Sequence, residues 1–195
     1  MTKIKFCGLK TLDDVYVANE LSPEFVGFVF AAQSKRYVTP AQVEKFRAAL
    51  SKKILVVGVF VDEKISVVAE LLNAGIIDIA QLHGSEDADY ISRLRALTTK
   101  PLIKAVRFDA IKNSDADFLL IDAGAGDGKI FDWSLIKNFR RPYFLAGGLN
   151  PENVSAAIKC LNPFAVDVSS GIESNGRKDA AKMREFVSAV RGEIL

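Results

Sequence analysis

The sequence predicts an α/β protein, a compact (β/α)8 TIM barrel, and three observations carry that prediction. Eight short apolar runs alternate with amphipathic stretches along 195 residues. The runs are nearly continuous in Val, Ile and Phe, as parallel strands buried on both faces require. The first strand-to-helix turn reads FCGLKT. An open dinucleotide-binding sheet would want G-x-G-x-x-G there. The closed barrel fits the count.

The strands are read, in order, as IKFCG (4–8), FVGFVF (25–30), ILVVGVFV (54–61), IDIAQLH (77–83), PLIKAV (101–106), DFLLID (117–122), PYFLAG (142–147) and FAVDVS (164–169). Between them, Thr11 precedes LDDVYVANE, with acids in its first turn. Thr39-Pro40 opens AQVEKFRAAL as an N-cap followed by proline at the first helical position. Asn150-Pro151-Glu152 is expected to open NVSAAIKCL in the same way. Helices are also expected over 64–74, 86–97, 132–138 and 178–192, while 107–116 has room for barely one turn. With no Ser/Gly linker and no low-complexity tract, residues 1–195 read as one domain.

Composition narrows the function. At 49% hydrophobic and 26% charged, the chain can bury a core, and a net charge of +2 with interspersed signs offers no nucleic-acid face. No apolar run reaches membrane-spanning length, and MTKIKF lacks the apolar stretch of a signal peptide, so a cytoplasmic protein is expected. The two cysteines, Cys7 and Cys160, lie too far apart for a zinc motif and are expected as free thiols. A disulfide between them is the weaker reading. Cys160, within a helical pattern, is expected in the core.

In a barrel of this kind chemistry sits where strands end. After the seventh strand, Gly147 and Gly148 let the backbone approach a ligand and present N–H groups. After the eighth come Ser169, Ser170 and Gly171, at the start of a short extra helix whose N-terminus favours an anion. Two such loops on adjacent strands suggest a phosphate cradle, against the plainer reading of tight turns and caps. Cys7, just before Gly8, stands at the lip of the first strand, where it is either a packed thiol or a group meeting ligand. Asp122 ends an apolar run on an inward position, where a carboxylate is costly unless used or bonded. Capping the glycine loop that follows is its alternative role. Arg36, in SKRYV, could grip a carboxylate bidentately or be a solvated loop charge beside Lys35. His83, the only histidine, reads equally as a substrate contact or a structural residue.

Taken in order, KFCGLK, GFVF with SKRYV, VGVFV, QLHG, the glycine run before FDW, LAGGLNPENV and DVSSGIE closely resemble the phosphoribosylanthranilate isomerase family of tryptophan biosynthesis. The likeness is collinear over nearly the whole chain. It implies an Amadori rearrangement of an aminoaldose to an aminoketose, with Cys7 as general base at C2′ and Asp122 as general acid at the ribose ring oxygen. Proton abstraction needs a thiolate, so an electropositive, partly open surrounding is expected for Cys7. The resemblance also implies that Arg36 holds the anthranilate carboxylate and that Asp167 supports the phosphate loop or substrate hydroxyls. The substrate is then a small phosphosugar, with no nucleic acid or membrane partner. The protein is expected as a monomer or homodimer. No cofactor or metal is implied, because the protonated imine is itself the electron sink.

The departures are Phe6, where Ile is commoner in the family, and AGAGDG before FDW, which places Asp127 near the mouth. Asp132 is expected to cap the sixth helix, and Trp133 to pack on the barrel. The histidine-pathway aminoaldose isomerase generally has an aspartate where this chain has Cys7. Ribulose-phosphate epimerases need histidine ligands that one histidine cannot supply. A non-catalytic sugar-binding barrel would have no reason to keep the Cys7–Asp122 pair.

Overall fold

The computed structural model describes residues 1–107, 114–122, 139 and 141–192. All eight apolar runs are strands: β1 Lys3–Cys7, β2 Phe25–Val29, β3 Leu55–Phe60, β4 Ile79–Leu82, β5 Leu102–Arg107, β6 Phe118–Asp122, β7 Tyr143–Ala146 and β8 Ala165–Val168. They close a barrel in sequence order, and β8 returns to pair with β1 in parallel, Lys5 opposite Asp167.

Six α-helices lie among the described residues: α1 Leu12–Leu21, α2 Pro40–Ala49, α3 Ile65–Asn73, α4 Ala88–Arg95, α5 Val154–Leu161 and α6 Ala180–Arg191. The two threonine caps form as expected. Thr11 Oγ1 accepts from Asp14 N at 3.1 Å while Asp14 accepts from the Thr11 amide, and Thr39 and Gln42 reciprocate likewise. α5 starts later than expected. Asn150 Oδ1 accepts from the amides of Glu152 and Asn153, so it caps a separate turn, and the helix begins at Val154. Cys160 is exposed rather than core, because α5 buries the stripe Val154, Ala157 and Leu161, and position 160 falls off it. It is a free thiol, as is Cys7. The expected helix over 132–138, most of 107–116, and Asp127, Asp132 and Trp133 lie outside the described residues.

Two packed layers follow from strand alternation. Outward residues such as Ile4, Phe6, Val26 and Phe28 join the helices in the larger core. Inward residues Phe25, Val57, Ile79, Ile103, Leu120 and Phe144 fill the barrel. At the N-terminal end Phe25, Phe118, Phe144 and Phe164 form a floor, with Phe118 and Phe164 stacked 5.0 Å apart. Lys3 Nζ sits 4.5 Å from the Phe164 ring centroid.

Candidate active site

The C-terminal ends of the strands surround a cavity of about 380 Å³. Cys7 and Asp122, the last residues of β1 and β6, both line it. So do Arg36, Gly147, Gly148, Asp167, Ser169 and Ser170. Of the expected site residues, Gly171 alone is not on this wall. It lines an adjoining cleft behind Ser170.

Backbone conformation explains the glycines. Gly147 and Gly148 have φ of +95° and +63°, in the left-handed region. A Cβ on Gly148 would meet nothing within 4 Å, so its surroundings are open. Gly171 is required for a different reason. A Cβ there would lie 1.9 Å from the Leu149 carbonyl oxygen, so this glycine lets the loop after β8 rest on the loop after β7. Ser170–Ile172 is a single 3-10 turn, the short extra helix expected here.

Beyond it the chain makes a hairpin, β9 Glu173–Ser174 and β10 Arg177–Lys178, joined by Asn175-Gly176 with φ of +51° and +73°. The dipeptide Asn-Gly between two short runs was the available signal. This hairpin shapes the site. Glu173 accepts from Arg36 Nε at 2.7 Å and Nη2 at 2.8 Å, and from Lys178 Nζ at 2.9 Å. Burial would raise the Glu173 carboxyl, but Arg36 and Lys178 outweigh it and hold it at about 2. Arg36 is thus not a solvated loop charge. Its fork is fixed across the mouth, and Nη1 is not engaged by Glu173. Gly8, at φ +78°, makes room for the Arg36 stem, whose Cδ would lie 2.4 Å from any Cβ added there.

Cys7 is 8% exposed. Contrary to the expectation of a thiolate-favouring surrounding, burial pushes its thiol up, with Lys5 and Lys178 opposing and Asp167 adding to the rise. Lys5 is wholly buried and donates from Nζ to Asp167 Oδ1 at 2.8 Å. The sequence reading missed Lys5, although a lysine two residues before Cys7 in a buried strand must share its inward face.

Two further buried polar residues escaped notice. Gln81 Nε2 lies 2.7 Å from His83 Nδ1, while Gln81 Oε1, lining the cavity, is without a hydrogen-bond partner among the described residues. Burial pushes the His83 imidazole down against the pull of Asp167 and Asp122, so the ring is favoured neutral. Lys104 binds Glu86 at 2.8 Å and the Gly84 carbonyl at 2.7 Å, fixing the loop after β4. Among the described residues no group of three or more His, Cys, Asp or Glu could hold a metal ion. No helix among them is long and apolar enough to cross a membrane.

Residues 4–189 match the family model described as N-(5′-phosphoribosyl)anthranilate (PRA) isomerase. N-(5′-phosphoribosyl)anthranilate isomerase of Endomicrobium trichonymphae is 48% identical over 199 residues, covering 98% of this chain and 99% of the relative. Among solved structures, phosphoribosyl anthranilate isomerase from Thermotoga maritima is similar with a TM-score of 0.89 and 34% identity, covering 99% of this chain and 100% of that one. Another phosphoribosyl anthranilate isomerase, solved with reduced 1-(o-carboxyphenylamino)-1-deoxyribulose 5-phosphate, gives a TM-score of 0.85 at 33% identity, covering 99% and 100%.

Proposed function

The chain belongs to the N-(5′-phosphoribosyl)anthranilate isomerase family, and from that premise we propose that Cys7 and Asp122 perform the proton transfers of the rearrangement. The protein is an isomerase of tryptophan biosynthesis. The observation that carries the assignment is the placing of both groups at strand ends on one cavity, beside the paired loops after β7 and β8.

The steps balance without an external oxidant or reductant. Asp122, protonated, gives its proton to the furanose ring oxygen. The C1′–O bond breaks as the anilino nitrogen lone pair makes the C1′=N bond of a protonated imine. Cys7, as thiolate, removes the C2′ proton, and that electron pair forms C1′=C2′ while the imine nitrogen is neutralised. The enolamine then loses its C2′ hydroxyl proton and gains one at C1′, giving the ketone. Each positioned transfer contributes a typical ~10²–10⁴-fold.

The same reading assigns the two ends of the substrate. The phosphate lies against backbone N–H groups of Gly147 and Gly148 and the turn through Ser169 and Ser170, with Gly171 holding the two loops in register. Arg36 offers Nη1 to the anthranilate carboxylate while Glu173 fixes the rest of its fork. Asp167, paired with Lys5, faces the sugar hydroxyls. The protein works on this small phosphosugar as a monomer or homodimer. The test is Cys7→Ser assayed with freshly made substrate. kcat falls at least ~10²-fold while KM changes little, and near-normal turnover by the folded variant overturns the assignment.

A further inference from the structure

A lysine with no exposure inside a barrel needs explaining. An isolated buried ammonium costs several kcal/mol, so it persists only when paired. Asp167 provides one partner at 2.8 Å. An ammonium has three N–H donors, however, and one carboxylate oxygen at that distance takes one of them. The sulfur of Cys7 lies on the same face of β1 and interacts with that ammonium by charge.

Gly27 on β2 shows how close the groups lie. A Cβ built there would be 3.0 Å from Cys7 Sγ and 3.2 Å from Lys5 Nζ, so both atoms border one point beside Gly27. Lys5 and Cys7 are two apart on β1 and share its inward face. Asp167 stands opposite Lys5 across the seam that closes the barrel.

We propose that Lys5 is the positioning residue of Cys7: its buried ammonium, anchored by Asp167 beside the sulfur, offsets part of the cost of ionising Cys7 and so brings the thiolate within reach at the cavity wall. Lys5 does not reach the substrate and acts only through Cys7. The inference rests on the reading of Cys7 as base for its catalytic consequence, but not for its effect on the sulfur.

The other charged groups around Cys7 do not replace it. Lys178 of β10 contributes positive charge, yet its Nζ is bound to Glu173 and to the Ser169 carbonyl at 2.9 Å. Arg36, from the loop after β2, is likewise held by Glu173. Asp167 of β8 and Asp122 of β6 bring carboxyl groups, not a second cation, and His83 after β4 is favoured neutral. Burial, the largest influence on Lys5, pushes its ammonium down, but Asp167 and Cys7 together lift it above the ordinary lysine value, so it keeps its charge. Among the groups opposing the burial of Cys7, Lys5 is the largest.

The experiment follows alkylation of Cys7 by iodoacetamide against pH, with Cys160→Ser as background so that Cys7 is the sole thiol. Lys5→Met moves the midpoint upward by at least about one pH unit, so alkylation near pH 7 slows ~10-fold, while the high-pH plateau stays the same. A lysine that merely filled space would change thermal stability and leave the midpoint in place, and an unshifted or lowered midpoint overturns the inference. If Lys5→Met fails to fold because Asp167 is left unpaired, Lys5→Met with Asp167→Asn removes both buried charges. The midpoint must still rise, and one that stays or falls overturns the inference equally. Turnover separates this from the reading beneath it. A raised midpoint with unchanged kcat leaves the Lys5 assignment standing and removes Cys7 from the role of base.

Discussion

The two ends of this barrel are built from the same strands and do opposite things. β6 begins with Phe118 in the floor and ends with Asp122 at the mouth, and β7 carries Phe144 below and Ala146 above. The floor is four phenylalanines in edge and stacked contact, with the Lys3 ammonium resting over two of the rings. The mouth holds a buried ammonium, a carboxylate, a thiol and two glycines at positive φ. The buried ammonium and the carboxylate are each costly alone, and the positive φ values are open to glycine without strain. The apolar end stabilises the fold while the polar end carries buried charge. Strand alternation and barrel closure let one set of residues do both.

The largest expected effect comes from breaking the floor. Phe144, wholly buried, contacts Phe25, Phe118 and Phe164, so Phe144→Ala costs about 3–5 kcal/mol in urea unfolding. kcat per folded molecule stays near the wild-type value. A kcat loss larger than the stability loss would erase the division between the two ends.

A smaller effect sharpens the mouth. Arg36→Met keeps much of the stem but removes the charged hydrogen bonds, weakening substrate and product by about 1.5–3 kcal/mol. An analogue without the anthranilate carboxylate loses far less, as read by titration of both ligands. Equal losses would mean that Arg36 does not read that group.

The smallest effect concerns acid. Glu173 is lowered from 4.5 to about 2 by its cations, so its pairing stabilises the fold above its ordinary value and ceases to do so as pH falls through about 2. The gap in melting temperature between wild type and Glu173→Gln is therefore full at pH 5 and closes on the way down to pH 2. A gap independent of pH would mean that the pairing with Arg36 and Lys178 does not operate in solution.

Much of the barrel could be read in advance because its signals are local. Continuous Val, Ile and Phe runs named all eight strands, and Thr11 and Thr39 named their helix starts. The catalytic candidates were legible for the same reason: each stands where an apolar run stops. What stayed hidden was pairing over distance. Lys5 meets Asp167 across 162 positions and Arg36 meets Glu173 across 137, and no periodicity reports such closures. Cys160 failed differently. It lies next to Leu161 on α5, and one residue of helical rotation separates a buried site from an exposed one.

The central claim is that Cys7 and Asp122 act as one acid–base unit at the mouth, and a double-variant cycle in kcat tests it most directly. Cys7→Ser and Asp122→Asn are measured singly and together, with melting temperature recorded for each. The account predicts at least ~10²-fold loss for each single variant, and a combined loss smaller than the product, because groups that serve one sequence of proton transfers are not additive. Melting temperatures should change far less than for Phe144→Ala. Losses that multiply in full, or a folded Cys7→Ser protein that turns over normally, would contradict it.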